Sequence, residues 1–280
     1  MNPRALLERY DISPKKSLGQ NFLHDPNALE KIVESADLMP GDTVLEIGPG
    51  TGALTEVLAR FAARVITVEI DRRLEPILRE RLEPYAHVEV VFGDILETDV
   101  AALVGPDPYV VVANVPYYIT SAIIRHLLES EHRPQRLVLT VQLEVASRLV
   151  ARPGDMSLLA VSAQYYGKPR IVTRLSAGVF WPRPDVDSAV VRIDVYDRPP
   201  VDVPDDETFF RVVRAGFSQK RKQLKNALAD GLHLSAEATV HWMQAAGIDP
   251  RRRAETLTLE EWAALARHYA AHFANPPAAT

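Results

Sequence analysis

Five short runs made almost wholly of valine, isoleucine and leucine recur between residues 43 and 142, and they restrict the fold more than any other feature. "TVLEIG" (43–48), "ARVITVE" (63–69), "HVEVVF" (87–92), "YVVVAN" (109–114) and "RLVLTVQ" (136–142) have strand length and little polar alternation. Such runs belong to strands covered on both faces. Between them, "GALTEVLARFA", "RRLEPILRERLEP" and "TSAIIRHLLESE" space apolar residues three and four apart, as one face of a helix does. The alternation predicts a doubly wound, mostly parallel α/β sheet, in which ligands bind just beyond the carboxyl ends of the strands.

The flanks complete the outline. "SLGQNFLHDPNALEKIVESADL" reads as a loop and then a helix starting near Pro26 with Asp25 as its cap. "RIVTRLS" and "AVVRIDVY" (189–196) read as two further strands around the proline-rich "AGVFWPRPDVDS". "DRPPVDVPDDE" (197–207) has linker composition, and the periodic stretches after it are all helical. The expected organisation is a sheet domain over 1–200 and a small all-α domain over 201–280, ending in a disordered "NPPAAT".

With no cysteine among 280 residues, disulfides, thiol nucleophiles and cysteine-held metal clusters are excluded, and no metal site is expected. No segment approaches the ~18 apolar residues of a membrane span, and the first residues lack a signal peptide's apolar block, so a cytoplasmic protein is expected. The net charge of -5 disfavours nucleic acid, but "RVVRAGFSQKRKQLKN" (211–226) carries six cations and no acid, and Arg251, Arg252 and Arg253 follow.

The strand tips carry the chemistry. After the first run, Gly48, Gly50 and Gly52 let backbone approach a ligand at a strand-to-helix turn. Gly48, Gly50 and Ala53 also satisfy a dinucleotide fingerprint. Glu69, about twenty residues on, suits the hydroxyls of a ribose, whether of NAD or of S-adenosylmethionine. Asp94 ends the third run, placed either to receive an adenine amine or to cap the next helix. The fourth tip, Asn114-Val115-Pro116-Tyr117, adds an amide oxygen, a carbonyl at Pro116 and an aromatic face. An exocyclic adenine amine is a poor nucleophile because its lone pair is delocalised. Acceptors for its two N–H groups, here the Asn114 amide and the Pro116 carbonyl, would make the nitrogen tetrahedral, and Tyr117 would stack on the base.

These motifs, in this order from "SLGQNFL" through "EIGPGTGALT", "VEID", "GDIL", "NVPYYIT", "FWPRPDVDSAVVRI" and "GFSQKRKQLKNAL" to "GIDPRRRAETLTLEEW", resemble the KsgA/RsmA-type family of small-subunit ribosomal RNA adenine dimethyltransferases. The resemblance covers nearly the whole chain. It implies a Rossmann-like class I methyltransferase fold and S-adenosyl-L-methionine held by Asn21, Leu23, Gly48, Glu69, Asp94 and Asn114. It implies that Tyr117 and Phe180 sandwich a flipped adenine, and that two adjacent adenosines near the 3′ end of 16S rRNA are dimethylated at N6 in an immature small subunit. Arg221, Lys222 and Lys225, with Arg251 to Arg253, are then expected to contact RNA phosphates. The chain is expected to act as a monomer. It departs from the family at Tyr118, Leu143, Met156-Ser157 and Asp185; Leu143 and Asp185 stand where lysines are common.

Three alternatives share part of this pattern. A large-subunit RNA methyltransferase of the antibiotic-resistance type has the same sheet, but the "GIDPRRRAE" block favours the small-subunit type. A non-catalytic assembly factor would have no use for the Asn-x-Pro-Tyr geometry. A dehydrogenase would need a nicotinamide half-site, and no residues suggest one.

Overall fold

The structure, a computed structural model, describes residues 2–274; the "NPPAAT" tail lies outside the described residues. In chain order the elements are α1 (Pro3–Arg9), β1 (Phe22–Leu23), α2 (Pro26–Ala36), β2 (Thr43–Ile47), α3 (Ala53–Leu58), β3 (Arg64–Glu69), α4 (Glu75–Leu82) and β4 (Val88–Phe92). There follow α5 (Val100–Val104), β5 (Tyr109–Asn114), α6 (Thr120–Leu128), β6 (Arg136–Gln142), α7 (Leu143–Leu149), α8 (Leu158–Tyr166), β7 (Gly167–Leu175), β8 (Phe180–Trp181) and β9 (Ser188–Val195). Among the described residues four α-helices follow: α9 (Asp206–Phe217), α10 (Leu224–Leu232), α11 (Ala236–Ala245) and α12 (Leu259–Tyr269).

Seven strands form one sheet in the order β4-β3-β2-β5-β6-β9-β7. The five apolar runs are its parallel strands, and β9 joins antiparallel to β6 and β7. Val44, Val65, Val110, Val112 and Val138 are fully buried or nearly so, as a sheet covered on both faces requires. Asp25 caps α2 by accepting from the Ala28 N–H at 2.9 Å, with Pro26 opening the helix. Strand order reverses between β2 and β5, and the crevice of such a sheet lies there. The tips of these two strands are Gly48 and Asn114; a Cβ on Gly48 would lie 4.0 Å from the Asn114 carbonyl oxygen.

Among the described residues the chain divides into two compact units, one running to Ser147 and including Gly167–Tyr196, the other holding Arg148–Tyr166 and the residues after Tyr196. A cut at residue 200 therefore misses a segment: α8 belongs with the C-terminal helices. Tyr165 stacks on Phe209 at 4.5 Å between centroids, and Tyr166 on Phe210 at 5.5 Å. Their hydroxyls donate to the two oxygens of Asp206, at 2.7 and 3.2 Å. Trp262 is fully buried in this unit, and Gly216 makes room for it: a Cβ there would clash with the indole.

Candidate active site

The tips of β2, β3, β4 and β5, together with residues 18–23, line one cavity. Asn21, Leu23, Gly48, Glu69, Asp94, Asn114, Pro116 and Tyr117 all face it. The glycine turn is left-handed at three positions, with φ of 69° at Gly48, 57° at Gly50 and 79° at Gly52, a conformation that a Cβ disfavours. Gly50 is also a close approach: a Cβ would stand 2.9 Å from the Phe22 ring. Phe22 and Leu23 pair as a short antiparallel ribbon with Trp181 and Phe180.

Glu69 is buried, and its carboxylate accepts from the Gly50 N–H at 3.0 Å and the Asp71 N–H at 2.8 Å. Burial pushes its pKa up, and those N–H groups oppose the rise. Burial also works against ionised Asp71, but the Arg73 guanidinium and the Gln20 amide outweigh it and hold that carboxyl down at about 2. Gln20 donates to Asp71 at 2.8 Å and accepts from the Lys15 N–H at 2.7 Å. Asp94 uses one oxygen to accept from the Leu96 N–H at 2.9 Å, and the helix cap weighed for it falls instead to Asp99, which accepts from Ala102 at 3.0 Å. Glu46, one layer below the turn, is 1% exposed and its Oε2 has no hydrogen-bond partner among the described residues. Burial raises its pKa to about 8, the Thr55 hydroxyl moderates this, and the Glu69 charge adds to it.

At the β5 tip, the Asn114 Nδ2 donates to the Asn21 carbonyl at 3.0 Å. A carbonyl only accepts, so this contact fixes which end of the amide faces it and leaves Oδ1 an acceptor with no partner among the described residues. The Pro116 carbonyl expected to assist it is already engaged by the Thr120 hydroxyl at 3.1 Å and the Ile119 N–H at 3.3 Å, which together occupy its two lone pairs. The correction is one residue upstream: the Val115 carbonyl, on a cavity-lining residue, accepts no hydrogen bond among the described residues. Tyr117 is half-buried, and its hydroxyl meets the Ser188 hydroxyl at 2.7 Å. Burial raises the phenol's pKa, partly offset by Ser188, so it is neutral near pH 7 and no base.

Phe180 departs from expectation. It is 3% exposed, does not line the cavity, and packs in the core that contains Leu23, Leu175 and Val190. The aromatic left open is Tyr118, 58% exposed and seated against Gly19, whose Cβ would lie 3.3 Å from the Tyr118 ring. Ile70, 48% exposed, also lines the cavity and gives a flat ring an apolar face beside Glu69. Neither its exposure nor the roles of Gln20, Val115 and Ser188 carry a signal in sequence, because each depends on a partner distant along the chain or on backbone geometry.

In the helical unit, the basic run is not one helix. The α9 helix ends at Phe217 and α10 begins at Leu224, so Lys220, Arg221 and Lys222 lie exposed in the intervening turn, with Lys225 in the first turn of α10. The Leu224 and Lys225 N–H groups donate to the carbonyls of Arg252 and Pro250 at 2.7 and 3.4 Å, which stitches this turn to the 249–253 loop. Arg252 is a structural residue: it grips both oxygens of Glu261 and the Thr256 carbonyl, and Glu261 closes the capping box of α12. Arg251 pairs with Asp249 at 3.1 Å, and Arg253 stands 3.9 Å from Glu255. The side chains of Lys220, Arg221, Lys222 and Lys225 make no ion pair among the described residues.

A sheet that opens at its switch point between a left-handed glycine turn and a strand ending in an acceptor amide is that of a Rossmann-like methyltransferase. Residues 12–271 match the family Ribosomal RNA adenine dimethylase, and the chain belongs to that family. It is 48% identical over 274 residues to the Ribosomal RNA small subunit methyltransferase A of Moorella thermoacetica, covering 94% of this chain and 95% of the relative. It is 45% identical over 268 residues to the protein of the same name from Dehalococcoides mccartyi strain CBDB1, covering 95% and 92%. Among solved structures it is similar to a dimethyladenosine transferase from Plasmodium falciparum, with TM-score 0.73 and 27% identity over 87% of this chain and 95% of that one. It is also similar to the 23S rRNA methyltransferase ErmE, with TM-score 0.69 and 31% identity over 89% and 99%.

Proposed function

We propose that this protein uses S-adenosyl-L-methionine to dimethylate N6 of two adjacent adenosines in the 3′-terminal hairpin of 16S rRNA, acting as a cytoplasmic monomer on immature small subunits. The observation that carries this reading is the Asn114 amide, fixed through its nitrogen by Asn21 so that its oxygen is presented as an acceptor. The small-subunit assignment draws support from the names of the relatives that align end to end.

The cavity suits the donor. Its left-handed glycines bare the backbone, Glu69 offers a carboxylate to paired hydroxyls, and Asp94 keeps one oxygen for an amine. Asn21 and Leu23 would cover it from the N-terminal segment. When bound, the donor supplies a methyl group on a sulfonium sulfur. The chain's own part is to ready the acceptor: Asn114 Oδ1 and the Val115 carbonyl take the two N–H hydrogen bonds of the amine, which localises its lone pair. As nitrogen gains positive charge, these fixed dipoles and the Tyr117 ring face stabilise it without reorganising. The methylated nitrogen then releases a proton to solvent. No strong base is required, consistent with a neutral Tyr117. Phe180, being buried, forms no open face for the base.

Lys220, Arg221, Lys222 and Lys225, with Arg251 and Arg253 at the same edge, supply the cations for RNA phosphates. The likeness to ErmE favours a second reading, methylation of large-subunit RNA. Incubation with labelled S-adenosylmethionine and each ribosomal subunit lacking N6 methylation, followed by mapping of the label, separates the two. Label on 3′-terminal adenosines of the small subunit is expected. Label on large-subunit RNA selects the second reading, and binding without label defeats both.

A further inference from the structure

We infer that Ser188 is a positioning residue for the target base, acting through Tyr117. This rests on the reading of Tyr117 as the stacking platform and deepens it. The two residues are 71 positions apart, and their hydroxyls meet at 2.7 Å. They differ in how firmly they are held. Ser188 is fully buried at the start of β9, where its backbone stands between Gln142 of β6 and Leu175 of β7. Its neighbour Asp187 is tied twice more, its carbonyl accepting from the Leu143 N–H at 3.0 Å and its carboxylate from the Ala177 N–H at 2.9 Å. Tyr117, by contrast, opens a three-residue 3₁₀ turn with no side-chain cap and is followed by the exposed Tyr118.

A ring attached only through such a turn would swing about its χ angles. The Ser188 hydroxyl holds its far end, so the ring is fixed at both ends and its face stands ready before a base arrives. The contact also ties the phenol oxygen to a residue outside the cavity lining, so what Tyr117 offers the base is its π face. Recognition at this wall is then by stacking, which any purine satisfies, and the choice of adenine falls to the acceptors at Asn114 and Val115.

The role predicts a defect in handling the acceptor and none in handling the donor. Ordering one side chain in advance is worth roughly a three- to tenfold gain in productive binding. Ser188→Ala and Tyr117→Phe each delete the same contact, from its buried and its less buried end. Each is expected to lower kcat/KM toward small subunits by about that factor, with S-adenosylmethionine affinity by calorimetry unchanged. The double variant is expected to be no slower than either single one, because one contact cannot be lost twice.

Wild-type rates in Tyr117→Phe would overturn the inference, as would losses that multiply in the double variant or donor binding that falls in step with turnover. Tyr117→Phe keeps the test decisive even if Ser188→Ala fails to fold. Absence of methyl transfer by the wild-type protein would defeat the proposed function, and the inference with it. Transfer by the wild type with an unaffected Tyr117→Phe defeats the inference alone.

Discussion

The Gln20 amide donates to the Asp71 carboxylate at 2.8 Å, and the next residue, Asn21, receives the Asn114 amide through its carbonyl at 3.0 Å. Two adjacent residues of the N-terminal segment thus tie down the tips of two different strands, one beside Glu69 and one at the acceptor amide. Under the proposed function, enclosure of the donor and aim of the acceptor would be set by the same few residues. A hydrogen bond to a charged group is worth about 1.5–3 kcal/mol, discounted here because the contact is only partly buried. Gln20→Ala is therefore expected to weaken S-adenosylmethionine binding about tenfold by calorimetry and to lower kcat as well. Unaltered affinity would show that the tie does not shape the donor site.

Removing the acceptor itself should act on chemistry alone. Asn114→Ala is expected to reduce methyl transfer at saturating substrates by about 100-fold or more, the range found when one fixed dipole is removed from a site of developing charge. Small-subunit binding, measured by sedimentation, should persist. Turnover within a few fold of wild type would refute the amine-polarising role.

Glu46 makes stability depend on pH. Its carboxyl keeps a proton to about pH 8 in the folded chain, against an ordinary value of 4.5. Between those values the folded state binds more protons than the unfolded one, so stability falls as pH rises through the window. A raised Glu69 pKa acts in the same direction. The loss is on the order of a few kcal/mol, or several degrees in Tm. Melting scans at pH 5 and pH 8 should show a larger drop for wild type than for Glu46→Gln, which carries no titrating group there. Equal drops would mean that the side chain is hydrated in solution.

The basic residues of the helical unit should separate into two kinds. Arg252→Ala removes the grip on Glu261, whose side chain is 29% exposed, and should destabilise the protein by about 1–2 kcal/mol, seen as a lower Tm. Replacing Arg221, Lys222 and Lys225 with alanine should leave Tm within a degree or so and flatten the salt dependence of subunit binding by about two to three phosphate contacts. An unchanged slope would place the RNA surface elsewhere.

The parallel sheet was legible because its signal is local. Tyr109–Asn114 and Arg136–Gln142 are strands to the residue, since near-continuous β-branched runs bounded by turn residues leave few alternatives. The strand tips were legible for the same reason, as topology places them together once the order is known. What failed to show depends on partners far along the chain. Whether the Pro116 carbonyl is free depends on how the next turn closes, and Phe180 is an aromatic whose burial is decided by pairing with Leu23. The α8 segment reads as part of the sheet domain until Tyr165 and Tyr166 find Asp206, some forty residues away. Arg252 looks identical to its two neighbours until Glu261 claims it.

The start of α10 has a bearing on what kind of RNA contact is open to this edge. Helix beginnings commonly hold a phosphate through bare N–H groups, yet here Leu224 and Lys225 have given theirs to the loop at Pro250 and Arg252. A nucleic-acid backbone arriving there would meet the exposed cationic side chains of Lys220, Arg221 and Lys222 rather than bare N–H groups. Such contacts would discriminate poorly between sequences and displace condensed ions, so under the proposed function the target adenosines would be chosen by the shape of the particle and by the pocket.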